Sequence, residues 1–228
     1  MTTQQLLALE GLVYENDDGE SRRLKLRPPP SPAQRQRLAE QLPPVLCRLL
    51  EVASGIDGAE HVSEGIDFTG GLEGQVLEEF LPDGITLAVD GCGNGWSLEP
   101  ATGRIFFLCH DPPVVVLQSL SLQLFLEQLK LPPARSELGD ALQHWTHRIW
   151  RENPCEGPPR DESSRSFLEA LGSHWRLVDL REARPGDGFS WGKYGPQTEV
   201  RRHPELALVA LSKPAAKPSL WSRWFGRP

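Results

Sequence analysis

Between residues 81 and 129 the chain repeats short apolar runs separated by turn formers and then closes on a helical stripe. Ile85, Leu87 and Val89 alternate with Thr86, Ala88 and Asp90, the period of a half-buried strand. Gly91, Gly93 and Gly95 supply backbone that turns with positive φ at no steric cost, and Trp96 and Leu98 restart the alternation. A turn over residues 100–103 precedes an apolar run at 105–108, and Asp111-Pro112-Pro113 separates that run from a fourth at 114–117. Leu122, Phe125, Leu126 and Leu129 then recur on one helical face, with Ser119 or Ser121 as the cap and Leu131-Pro132-Pro133 as the stop. The order predicts a small antiparallel sheet with one helix laid against it.

The flanking patterns extend this picture in both directions. Residues 6–13 read as a short helix or a first strand, and residues 12–27 as a hairpin about Asn16-Asp17-Asp18-Gly19. Ser31-Pro32 is an N-cap followed by proline at the first helical position, opening a helix to about Gln41. Pro43-Pro44 opens a second, with Val45, Leu46, Leu49 and Leu50 as its buried face and Gly55 as its close. Residues 55–80 read as loops with one short strand, and Val76, Leu77 and Phe80 suggest a helical turn. Beyond Pro133, Leu138, Leu142, Trp145 and Ile149 mark a helix from Ser136 to Asn153-Pro154. Phe167, Leu168 and Leu171 mark another, closed by Gly172. Trp175, Leu177 and Leu180 have strand spacing, residues 185–196 form a Gly-rich loop, and residues 206–211 form a last strand. The division expected is an N-terminal hairpin extension (1–30), a sheet-and-helix domain (31–131), a helical and strand extension (134–211) and a tail (212–228).

Charge adds one strong feature. Net charge is −7, but residues 49–103 hold eleven acids and no Lys or Arg. Basic residues lie on either side, with Arg22, Arg23, Lys25 and Arg27 before the acidic stretch and Lys213, Lys217, Arg223 and Arg227 after it. A one-signed stretch of this length favours a cationic partner and disfavours nucleic acid as its ligand. The four cysteines form no C-x-x-C pair. No secretory signal and no apolar run of membrane-spanning length is seen, so a cytoplasmic protein with reduced thiols is expected.

Three segments then carry a family resemblance. They are Leu42-Pro43-Pro44-Val45-Leu46-Cys47-Arg48-Leu49-Leu50 ahead of Gly55, residues 87–98 with their glycine turn, and residues 103–108 taken with residues 121–126. Residues 31–129 resemble the SMI1/KNR4 (SUKH) superfamily, covering about 100 of the 228 residues. The resemblance implies an α+β fold, a bent, mostly antiparallel sheet with helices packed on one side, here followed by a C-terminal α/β extension. It also implies a non-catalytic, protein-binding role. Many bacterial members are immunity proteins that neutralise a cognate toxin by binding it, and fungal relatives regulate cell-wall synthesis and signalling.

Candidate chemistry is weighed against that background. Gly91-x-Gly93-x-Gly95 lacks both the spacing of a phosphate loop and a following helix, so it reads as a hairpin turn. His144, His147 and Cys155 lack a fourth zinc ligand at motif spacing. Cys109 and His110 point to opposite faces of a strand and cannot pair as nucleophile and base. No cofactor, metal or catalytic residue is expected. The expected partner contacts are Asp57, Glu60, Glu64, Asp67, Glu73 and Glu78, holding a basic toxin by occlusion. The alternative is a cytoplasmic adaptor or regulator of a bacterial secretion or envelope system. It would dock through Trp221, Trp224 and Phe225 in a partner groove or on a membrane surface, unless these aromatics pack back on the chain itself.

Overall fold

The computed structural model describes residues 3–16, 18–62, 65–72, 77–140 and 144–213. The fold is α+β, with antiparallel sheets and helices packed alongside them. The chain opens with α1 (Thr3–Leu7) and a hairpin of β1 (Val13–Glu15) and β2 (Ser21–Arg23). The expected hairpin over residues 12–27 therefore ends early. After Leu24, β3 (Lys25–Arg27) leaves it to pair with β4 (Gly55–Asp57), which pairs in turn with β5 (Gly65–Asp67).

Two helices intervene. α2 (Pro32–Leu38) has the expected cap: Ser31 Oγ accepts from Gln34 N–H, and the Gln34 side chain accepts from Ser31 N–H. α3 (Pro44–Leu50) buries Leu46, Leu49 and Leu50. Gly55 was expected to close that helix but instead starts β4. A Cβ there would lie 2.3 Å from Ile66 O, so only glycine lets β4 and β5 approach this closely.

The central sheet holds β6 (Ile85–Val89), β7 (Gly95–Leu98), β8 (Ile105–His110) and β9 (Pro113–Ser119) as consecutive antiparallel neighbours. α4 (Leu122–Glu127) follows, with Ser121 Oγ accepting from Leu124 N–H and Leu122, Phe125, Leu126 and Leu129 all buried. The half-buried strand expected over residues 85–90 needs correction, because Thr86, Leu87 and Ala88 are all buried. β8 and β9 are covered on both faces. Phe107, Cys109, Val114 and Val116 enter a core shared with α3, α4, Ile56, Phe68 and Trp96. Their neighbours Phe106, Leu108, Val115 and Leu117 enter a second core with Val178, Phe189, Val209 and Leu211. Alternation along β8 and β9 thus sorts side chains between two cores, not between core and water.

The second core is supplied by the C-terminal stretch. α5 (Glu137–Asp140) and α6 (Thr146–Glu152) lead to β10 (Glu156–Gly157), and α7 (Glu162–Leu171) to β11 (Trp175–Asp179). α6 ends at Asn153-Pro154, as expected, and Asn153 caps it in the left-handed conformation. β12 (Gly188–Ser190) lies inside the expected loop and adds to the central sheet beside β9. Gly188 is forced: a Cβ would sit 1.9 Å from Val115 O. Ser190 N–H donates to Asn153 Oδ1 at 2.8 Å, tying β12 to the end of α6. β13 (Val200–Arg202) and β14 (Leu208–Ser212) complete a four-stranded sheet in the order β10-β11-β14-β13. No helix among the described residues is long and apolar enough to cross a membrane.

Candidate functional site

The expected contact acids come in three kinds. Asp57 and Asp67 meet at one guanidinium: Arg27 Nη1 is 3.1 Å from Asp67, and Arg27 Nη2 donates to Ile66 O at 2.6 Å. Arg27 Nε lies 3.0 Å from Asp57 but off the line of a hydrogen bond, so that contact is coulombic. Glu60 is held by Arg22 Nε at 2.5 Å, by Asn16 Nδ2 at 3.2 Å, and through its own N–H by Tyr14 Oη at 3.0 Å. These three carboxylates are turned onto arginines of the preceding basic cluster. Glu78 is exposed. Glu64 and Glu73 lie outside the described residues, as do Trp221, Trp224 and Phe225.

Acids without a cation gather elsewhere. A groove of about 950 Å³ opens where the central and C-terminal sheets meet. Its walls come from the α2–α3 link, the turn into β6, the β7–β8 turn and the β13–β14 turn. Glu40, Glu79, Asp83 and Glu205 stand exposed on its rim, and none is ion-paired among the described residues. Leu42, Leu81, Ile85 and Leu206 give it an apolar lining.

Each wall has a local cause. Gly84 N–H donates to Leu81 O at 3.0 Å, closing the Pro82-Asp83 turn that presents Asp83. His203 Nδ1 accepts from Glu205 and Leu206 N–H at 3.1 Å each, folding the turn that presents Glu205. The base is an ion pair. Glu99 is only 3% exposed and accepts from Arg202 and from Thr102 Oγ1. Arg202 Nη1 also donates to Phe80 O at 3.1 Å, and its guanidinium lies 5.3 Å from the Phe80 ring centroid. This pair joins the end of β7 in the central sheet to β13 at the base of the groove.

The other candidate residues resolve into structure. Asp90 Oδ1 accepts from Cys92 and Asn94 N–H at 2.9 and 2.8 Å, making the glycine segment a capped hairpin turn. Cys109 is buried while the neighbouring His110 is exposed, with its Nδ1 2.9 Å from Asn94 Oδ1. Burial pushes the Cys109 thiol up from its ordinary pKa. His144 and His147 are exposed, and no cluster of three or more His, Cys, Asp or Glu suited to a metal occurs among the described residues. No protein-family model, curated protein or solved structure compared with this chain matches it.

None of the four rim acids was among the expected contacts: Glu40 and Glu205 lie outside the acid-only stretch, and Glu79 and Asp83 lie within it beyond the loop acids favoured by sequence. The groove is assembled from four distant segments, and no spacing along the chain announces that they meet.

Proposed function

We propose that the chain is a non-catalytic protein-binding module that holds a cationic partner in the acid-rimmed groove. The observation that carries this is Glu40, Glu79, Asp83 and Glu205 standing around an apolar lining without an ion pair among the described residues, while Asp57, Glu60 and Asp67 are occupied by the chain's own arginines. Carboxylates on an open rim speed the encounter with Lys- and Arg-rich surfaces, repel acidic competitors, and offer bidentate sites to guanidinium groups. The apolar lining adds burial for side chains between those cations. The contact set therefore moves from the β4–β5 acids to the groove, with exposed Glu78 beside Glu79 retained.

The resemblance of residues 31–129 to the SMI1/KNR4 superfamily supports the finer reading. On it, the module is an immunity-type protein acting in the cytoplasm, where it neutralises a basic, nucleic-acid-directed toxin by covering its cationic face. The test is co-expression with the reading frame adjacent to its gene. Growth should be restored by the native chain and lost with Glu79→Lys/Asp83→Lys/Glu205→Lys. Failure of the native chain to restore growth refutes the immunity reading, and rescue by the charge-reversed chain refutes the groove as contact surface.

A further inference from the structure

We propose that the groove is also the docking site of the chain's own C-terminal segment, residues 214–228. Charge and composition match. The segment carries Lys217, Arg223 and Arg227 with no acid, together with Leu220, Trp221, Trp224 and Phe225. The groove offers four exposed carboxylates and an apolar lining, whereas the β4–β5 acids are already neutralised by Arg22 and Arg27. Four exposed carboxylates and an apolar lining stand together in this groove, the combination a cationic, aromatic chain needs.

The point of departure suits it as well. Lys213 N–H donates to His174 O at 2.8 Å, fixing where the segment leaves β14. The β13–β14 turn that walls the groove lies just before Leu208, at the other end of the five-residue β14. A strand of that length spans roughly 17 Å, and an extended chain covers about 3.3 Å per residue. Residues 214–220 reach about 23 Å when extended, enough to reverse and return, which brings Trp221 through Arg227 within reach of the groove.

The tether makes a weak fit sufficient. A short linker holds its end at an effective concentration on the order of 1 mM, so an intrinsic Kd on the order of 0.1 mM fills the site about ten times out of eleven. A foreign basic partner would then have to displace the segment and would bind about tenfold more weakly than to an open groove. The proposal does not depend on that partner, because the segment can dock whether or not another ligand exists.

The test is hydrogen–deuterium exchange on the full chain against a full chain carrying Trp221→Ala/Trp224→Ala/Phe225→Ala. Amides of residues 81–85 and 203–207 should exchange roughly tenfold faster in the triple variant, with other segments unchanged. In a second measurement, the fluorine resonances of fluorotryptophan at Trp221 and Trp224 should sit away from the free-chain position. They should move at least about halfway back to it in Glu79→Gln/Asp83→Gln/Glu205→Gln. Equal exchange in the two chains overturns the proposal. So does protection that grows with protein concentration alongside a doubled mass, which would mean a second copy supplies the occupant. Loss of pelleting with anionic vesicles in the triple variant, with groove exchange unchanged, overturns it in favour of a lipid surface.

Discussion

Replacing Arg202 with methionine should be among the costliest single changes in this protein. The substitution preserves a long apolar stem but removes the cation from a carboxylate that is 3% exposed. Taking one partner from a buried ion pair costs about 3–5 kcal/mol, because the other charge is left unpaired in a poor solvent. Arg202 itself keeps 18% side-chain exposure, and Thr102 still donates to Glu99, so the lower end of about 3 kcal/mol is expected. The lost hydrogen bond to Phe80 O acts in the same direction. For a chain of 228 residues about 3 kcal/mol corresponds to a fall in Tm of roughly 6–12 °C. Urea unfolding followed by tryptophan fluorescence measures it. The double variant Glu99→Met/Arg202→Met removes the stranded charge too and should recover most of the loss, to within about 1 kcal/mol of the native chain. An Arg202→Met cost below about 1 kcal/mol, or a double variant no better than the single, would show that the pair is screened by water. It would then not be the clamp between the two sheets.

Three further outcomes test other parts of the account. Phe189→Ala should cost about 3–5 kcal/mol by urea unfolding, since Phe189 is fully buried on a strand of the central sheet; a negligible cost would mean residues 188–190 are a dispensable loop. His61 is buried, its Nε2–H donates to Leu131 O at 2.7 Å, its Nδ1 has no partner among the described residues, and burial lowers its pKa. Above its unfolded pKa of about 6.5 both states are neutral and stability is complete. As pH falls below that value the unfolded chain takes up a proton that the fold refuses, so the urea midpoint should decline between pH 7 and 5, and less steeply in His61→Asn. Half-buried Cys155, with its thiol pushed up to about 11 mainly by desolvation, should resist iodoacetamide at pH 8 in the folded chain while exposed Cys92 reacts, as read by peptide mass; equal labelling would contradict that raised pKa.

The legible parts of this fold were those governed by neighbours in the chain. The Ser31 capping box, the buried face of α4, the left-handed stop before Pro154 and the four consecutive strands from Ile85 to Ser119 all follow from local spacing and turn chemistry. What escaped was governed by approach between distant segments. Gly188 looks like one more loop glycine until Val115 O is placed against it, and Gly55 looks like a helix stop until Ile66 O is. The apolar run at 105–108 signalled a strand but not that Phe106 would meet a second core brought by residues 178–211. The acid-only stretch was visible, yet its carboxylates divide. Asp57, Glu60 and Asp67 bind arginines, Glu99 is buried under Arg202, and Glu79 and Asp83 join Glu40 and Glu205 at the groove.

The most direct test of the groove uses a dye-labelled peptide with the sequence of residues 214–228. It is added to full chain carrying Trp221→Ala/Trp224→Ala/Phe225→Ala and followed by fluorescence anisotropy. Saturable binding with a Kd on the order of 0.1 mM is predicted, weakened at least about tenfold when Glu79→Gln, Asp83→Gln and Glu205→Gln are added, since three rim charges at about 0.5 kcal/mol each total about 1.5 kcal/mol. Binding that is equally tight with and without those three carboxylates, or no binding to either chain, would contradict it.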